Sequence, residues 1–231
     1  MNKNLFEIAY ILDRSGSMHR MVEPAIAGFN QFLREQREAP GDARLSLILF
    51  DDQYEVPSKR LPLSEVPDLD TTTYIPRAMT ALLDSIGLTI NEIDQTLQGM
   101  PEAERPGKVM VAIFTDGFEN ASQEFSLSQI NDLIRDKREN HGWEFLFLAA
   151  NQDAIATAGR MGIDPKMAGK VEFSKGGVHS SSSSMSRKMS AMRNFAAKGH
   201  RTADLHASMQ ELATEEQGFF KKKRKKNTNN E

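Results

Sequence analysis

Five side chains in this sequence offer hard oxygen atoms in a spacing that could do chemistry: Asp13, Ser15, Ser17, Thr80 and Asp116. The first three form Asp13-Arg14-Ser15-Gly16-Ser17, a carboxylate and two hydroxyls at alternate positions with a glycine between the serines. Oxygen ligands of this kind suit Mg²⁺, Ca²⁺ or Mn²⁺, and not Zn²⁺ or Cu²⁺. Taken alone, the same trio also suits a turn and the cap of a following helix. Two carboxylates placed close together repel, and a divalent cation removes that repulsion. The chemistry therefore depends on whether Asp13 and Asp116 meet.

A parallel sheet would bring them together. Leu5 to Leu12 is an almost unbroken apolar run of strand length, the pattern of a strand buried on both faces. It stops at Asp13. Lys108 to Thr115 is a second such run, and it stops at Asp116. Arg44 to Phe50 closes on Asp51-Asp52, and Trp143 to Ala150 follows Gly142. A shorter strand within residues 53–63 carries Pro57 and Pro62, which mark it as an edge element, and its place directly after a neighbouring strand suggests an antiparallel hairpin. Lys170 to Phe173 is a candidate sixth, edge strand.

Helical spacing fills the intervals. A first helix spans about residues 20–38, and a second opens at Met79 and runs to about Leu97. Ser126 with Gln129 is a capping box for a third, whose apolar face is Phe125, Ile130, Leu133 and Ile134. A short fourth starts at Asn151-Gln152-Asp153 and ends near Gly162. Strands alternating with helices predict an α/β, doubly wound, mostly parallel sheet with helices on both faces. The carboxyl ends of parallel strands share one sheet edge, so Asp13 and Asp116 should face one crevice there. Thr80, at a loop-to-helix junction, could point into it.

With these residues in place, the chain resembles the von Willebrand factor A domain and its metal-ion-dependent adhesion site. The family pattern is Asp-x-Ser-x-Ser, then a threonine, then an aspartate. The matching residues are Asp13-Arg14-Ser15-Gly16-Ser17, Thr80 in Met79-Thr80-Ala81-Leu82, and Asp116 in Phe114-Thr115-Asp116-Gly117. The resemblance covers about residues 4–175 and implies a six-stranded sheet with one antiparallel edge strand. It also implies that Ser15 and Ser17 hold the ion directly, that Asp13 and Asp116 act mostly through water, and that Thr80 binds or releases with conformation. An outside Glu or Asp of a protein partner would complete the coordination of Mg²⁺, Mn²⁺ or Ca²⁺. Family members inside cells often work with AAA-type ATPases, which makes such an ATPase an expected partner. Thr71, Thr72 and Thr73 remain alternatives to Thr80. Asp51, Asp52, Glu119 and Asn151 lie at or just beyond strand ends, as groups that support the ligands from behind, as rim groups, or as solvated loop residues.

An enzyme is the rival reading. Haloacid-dehalogenase-like phosphotransferases also place an aspartate after the first strand, but with a second aspartate two residues on, where this chain has Ser15. Neither a dinucleotide Gly-x-Gly-x-x-Gly nor a Gly-Lys-Ser/Thr phosphate loop occurs. His19 is near the motif and suits a helix start better than a catalytic role. The expectation is a non-enzymatic recognition module.

Composition sets the remaining bounds. Hydrophobic content of 39% with 26% charged residues is ordinary for a soluble globular chain. There is no cysteine, which excludes disulfides and thiolate metal sites. No apolar run approaches a membrane span. Met1-Asn2-Lys3-Asn4 lacks the sections of a signal peptide, so a cytoplasmic location is expected. The net charge of −3 includes six positives in Lys221, Lys222, Lys223, Arg224, Lys225 and Lys226, leaving −9 for the rest. That run could contact nucleic acid or an anionic surface, with Phe219-Phe220 before it, or simply be solvated. Three segments are expected: a von Willebrand factor A domain over 1–175, a flexible serine-rich link with an amphipathic helix over 176–199, and a polar, basic, disordered tail over 200–231. Met185, Met189, Met192 and Phe195 or Ala196 mark the helix stripe, which either packs back on the domain or meets a partner.

Overall fold

The structure is a computed structural model. It describes residues 1–116, 119–149, 154–172, 175–199 and 203–228, with residues 154, 175 and 220–228 described by main chain alone.

Six strands form one sheet: β1 (Asn2–Asp13), β2 (Asp42–Phe50), β3 (Tyr54–Pro62), β4 (Pro106–Thr115), β5 (Glu144–Ala149) and β6 (Ala168–Lys170). Their spatial order is β3-β2-β1-β4-β5-β6. Every pairing is parallel except β2 with β3, the antiparallel edge. The chain winds outward from β1 in one direction and from β4 in the other. The crevice beyond the carboxyl ends of these two strands is thus the topological switch point, where open α/β sheets take ligands. The expected fold class holds.

Period-two alternation along β1 sends its side chains to two cores. Phe6, Ile8, Tyr10 and Leu12 join one core with Phe29, Phe32 and Leu33 of α1 (Val22–Glu38) and Met185, Met189 and Met192 of α5 (Lys175–Lys198). Ala9 and Ile11 join the other with Leu82, Ile86 and Ile90 of α2 (Leu82–Gln98) and Ile130 and Ile134 of α3 (Leu127–His141). Tyr10 meets Phe29 edge-on, with ring centroids 5.2 Å apart. The capping box of α3 is present, and Gly142 ends that helix in the left-handed region at φ 66°.

One buried charge crosses the sheet. Glu7 on β1 is 1% exposed and takes two-pronged bonds of 3.0–3.1 Å from Arg60 of the edge strand. Burial raises the Glu7 carboxyl above its ordinary value although Arg60 opposes it. Arg60 has a φ of +51°, at an irregularity in the register between β2 and β3.

The structure departs from expectation in the last third of the chain. Ser180 to Ser184 do not form a flexible link: all five lie in α5 and are buried. Serine is only a middling helix former, but its small side chain lets two helices approach closely. A Cβ built on Gly28 of α1 would fall 2.5 Å from Ser182 Oγ. The hydroxyls are largely satisfied locally. Ser180 Oγ donates to Gly176 O at 2.8 Å and Ser184 Oγ to Ser181 O at 2.7 Å, while Ser186 Oγ accepts from Gln36 Nε2 at 2.9 Å. The methionine stripe of α5 packs on the sheet, whereas Phe195 is 41% exposed.

Arg193, also on α5, is fully buried. Its guanidinium donates to the carbonyls of Gln36, Ala39 and Gly41 at the end of α1, at 2.7–3.2 Å. After α4 (Ala154–Arg160), β6 lies two to three residues earlier than expected. Residues 151–153 and 173, which entered those expectations, lie outside the described residues. The segment after 200, expected to be disordered, carries α6 (Ala203–His206) and α7 (Met209–Thr228), with Met209 and Leu212 buried. The side chains of the basic run 221–226 lie outside the described residues.

Candidate metal centre

β1 ends where its apolar alternation ends, at Asp13, paired in register with Phe50 of β2. The Asp13 side chain is fully buried and both its oxygens are engaged. Oδ1 accepts the Ser15 main-chain N–H at 2.7 Å, an Asx-type turn that bends the chain across the strand end. Oδ2 accepts the Thr115 hydroxyl from the last residue of β4. The Tyr74 hydroxyl donates to the Asp13 carbonyl. Neither Thr115 nor Tyr74 was singled out from the sequence. Thr115 reads there as the last residue of a strand, and Tyr74 as a loop residue behind three threonines.

Past the turn, three side chains from two distant stretches form a row of oxygens. Ser15 Oγ is 3.1 Å from Ser17 Oγ, and Ser17 Oγ donates to Asp116 Oδ1 at 2.6 Å. Ser15 is 1% and Asp116 8% exposed, while Ser17 faces solvent at the start of a 3₁₀ turn over Gly16–Met21. The second oxygen of Asp116, Oδ2, is buried and finds no hydrogen-bond partner among the described residues.

Thr80 stands beside both loops. The Ala78 carbonyl, two residues before it, accepts the Gly16 N–H at 2.9 Å. Thr80 N–H donates to Asn120 Oδ1 at 2.9 Å, and its carbonyl accepts Asn120 N–H at 3.0 Å. A glycine at position 16 eases this approach, since a Cβ there would lie a tight 3.1 Å from the Arg77 carbonyl oxygen and 3.3 Å from that of Ala78. Thr71, Thr72 and Thr73 are exposed, and Thr72 and Thr73 wrap around Asp70 by hydrogen bonds of 2.7–3.2 Å.

The electrostatics are those of carboxylates short of positive charge. Burial pushes Asp13 up to about 6, the Thr115 and Ser15 bonds oppose the shift, and the Asp116 charge adds to it. Burial raises Asp116 too, against the Ser17 bond and the field of Arg20. Burial and then these two carboxylates hold the Tyr74 hydroxyl well above its ordinary value.

Arg14 and Arg77, close by in the chain, are engaged by other carboxylates. Arg14 lies 3.2 Å from Asp51 and 2.7 Å from Glu55, and Arg77 lies 2.6 Å from Asp51 and 3.0 Å from Glu55. Asp51 is a fully buried anchor behind the motif, which fits the expectation of a supporting group and not that of a solvated loop residue; it ties the 71–80 loop to the ends of β1 and β2. Asp52 is exposed, and Asn151 lies outside the described residues.

The residues fit a hard divalent cation. Cis oxygens of an octahedral Mg²⁺ site, at about 2.0–2.1 Å from the ion, are about 2.9 Å apart. The two oxygen separations here are 3.1 and 2.6 Å. Among the described residues no three His, Cys, Asp or Glu side chains come together so that they could hold a metal ion, so a cation at this place would depend on the hydroxyls.

No protein-family model and no curated protein matches the sequence. Solved structures do match in shape. A von Willebrand factor type A protein from Catenulispora acidiphila shares 12% identity at a TM-score of 0.54, over 80% of this chain and 42% of that one. The pilus adhesin SpaC from Lactobacillus rhamnosus GG, in its open conformation, shares 13% at 0.59, over 83% and 31%. Proximal thread matrix protein 1 from the mussel byssus, with a zinc-occupied MIDAS motif, shares 14% at 0.54, over 80% and 46%. This chain therefore spans less than half the length of each of these three proteins. Six strands in the order found, with the single antiparallel edge and helices on both faces, together with these matches, give the chain the von Willebrand factor type A fold.

Proposed function

We propose that the chain is a metal-dependent protein-recognition module. Asp13, Ser15, Ser17, Thr80 and Asp116 would hold one hard divalent cation, Mg²⁺ first and Mn²⁺ or Ca²⁺ as alternatives, and a Glu or Asp of a protein partner would complete its coordination. The observation that carries this reading is the row of oxygens from Ser15 through Ser17 to Asp116, ending in a buried carboxylate oxygen without a partner among the described residues.

When bound, such a cation supplies an electrophilic centre that attracts an outside carboxylate. The chain's own residues do the rest. Asp13 and Thr115 lock the ends of β1 and β4 together. Asp13 turns the chain through the Ser15 N–H, and the two serine hydroxyls that follow lie 3.1 Å apart, within reach of one ion. With neutral serine hydroxyls in direct contact and the Asp13 and Asp116 carboxylates acting mostly through water, much of the cation's charge would stay uncancelled at the open position, which favours an anionic ligand from outside.

Each Asp13 oxygen accepts one hydrogen bond within the chain, from the Ser15 N–H and the Thr115 hydroxyl, which fixes the carboxylate at the strand end and leaves lone pairs for a cation or its waters. An AAA-type ATPase as partner follows from the family resemblance alone. Contact of nucleic acid or an anionic surface with Lys221–Lys226 would be a separate function of α7.

Mn²⁺ titration followed by electron paramagnetic resonance tests the site. Wild type should bind one ion, and Asp116→Asn and Ser15→Ala should each lose most of that affinity. Retention of a partner from cell extract by wild type with Mg²⁺, but not with chelator or with Asp116→Asn, tests the recognition step. Mg²⁺-dependent phosphate-ester turnover, abolished in Asp13→Asn, would overturn the reading in favour of an enzyme.

A further inference from the structure

Helix α2 does not cap itself. Its N-cap residue is Ala81, which has no side-chain cap, and the first N–H groups of any helix need partners. Those partners come from the stretch after β4. Glu119 Oε2 accepts the Leu83 N–H at 2.9 Å and Ser122 Oγ accepts the Asp84 N–H at 3.1 Å. In return, the Asp84 carboxylate accepts the N–H groups of Gln123, Glu124 and Phe125 at 2.8–3.0 Å.

Thr80 lies at the end of this zipper, and both its main-chain polar groups are committed to it. Its N–H goes to Asn120 Oδ1 at 2.9 Å, and its carbonyl takes the N–H groups of Asn120 at 3.0 Å and Ala121 at 3.2 Å. Asn120 is itself exposed, so core packing does not explain what it does. It stands four residues after Asp116 in the sequence and bonds the main chain of Thr80, another of the candidate ligands.

We propose that Asn120 is a positioning residue for the metal centre. By bonding both the N–H and the carbonyl of Thr80, it presents the Thr80 hydroxyl and the Asp116 carboxylate as one fixed pair instead of two independent loop ends. The inference rests on the reading of Thr80 and Asp116 as cation ligands. Groups that orient a ligand without touching the metal typically contribute about 10–100-fold to affinity.

The test is Mn²⁺ affinity measured by calorimetry on the full chain, with thermal unfolding recorded for each variant. Asn120→Ala should weaken binding at least about tenfold. Asn120→Gln, a milder change whose longer arm displaces the amide, should weaken it too. Asn120→Asp keeps an acceptor for the Thr80 N–H and should retain most of the affinity. In a Thr80→Ala background, Asn120→Ala should add little further loss, because it acts through Thr80. The proposal is overturned if Asn120→Ala and Asn120→Gln lower only the melting temperature, or if the Asn120→Ala and Thr80→Ala losses multiply in full. If Asp116→Asn leaves Mn²⁺ affinity unchanged, the metal-centre reading itself fails and this inference falls with it.

Discussion

Asp116 is the residue on which the candidate centre turns, because one of its oxygens is used by Ser17 and the other by nothing described. Replacing it with asparagine keeps the shape and removes the charge. Charged hydrogen-bonding groups are worth roughly 1.5–3 kcal/mol, so cation affinity should fall about ten- to a hundredfold. Thr80→Ala should also weaken binding, and a Thr73→Ala control should not, given that Thr73 is exposed and bonded to Asp70. Glu55 supplies a pH signature. The Arg14 hydrogen bond holds its carboxyl down at about 2, below the ordinary 4.5. A depressed carboxyl contributes stability above its unfolded value and loses it as the pH falls through the folded one. Wild type should therefore lose stability between pH 4.5 and about 2 more steeply than Glu55→Gln in urea unfolding. The difference will be small because the side chain is 46% exposed. Asp13, Ser15, Ser17 and Asp116 were legible because strand ends are legible, and side chains at the ends of adjacent parallel strands must approach. Thr115, Tyr74 and Asn120 were not, since each acts through a hydroxyl, a phenol or an amide that any strand end or loop carries.

Elements were readable where their apolar pattern was their own and obscure where a neighbour supplied what they lack. β1, β4 and α3 announce themselves through alternation or a local capping box. The apolar spacing puts the start of α2 at Met79, and the helix begins at Leu82, because its caps come from residues 119 and 122. Low-complexity serine implies solvation by composition, whereas the serines of α5 form a close seam with α1. That seam makes a prediction. Gly28→Ala forces a Cβ to within 2.5 Å of Ser182 Oγ and should cost about 1–3 kcal/mol as overpacking. Adding Ser182→Ala should restore most of the loss, since it removes that oxygen, which is buried with no partner among the described residues. At the other edge of the sheet, Arg60→Ala would leave Glu7 buried and unpaired. Breaking a buried pair in this way costs about 3 kcal/mol or more, which equilibrium unfolding in urea would read.

Taken whole, the molecule is more integrated than three segments in a row. α5 covers one face of the sheet with Met185, Met189 and Met192, and Arg193 satisfies the carbonyls that close α1. A chain ended at residue 175 should therefore lose cooperative unfolding, as followed by circular dichroism on heating, even though residues 4–175 carry every motif of the resemblance. No helix among the described residues is long and apolar enough to cross a membrane. The strand order has one last consequence. Asp13, Ser15, Ser17 and Thr80 all precede the connection between Gln98 and Pro106, and Asp116 and Asn120 follow it. Two polypeptides made by dividing the chain there would carry four and one of the five candidate ligands. On the proposed reading, full ion capture would therefore return only on reassociation of β1 with β4, and Mn²⁺ affinity would serve as a gauge of complementation.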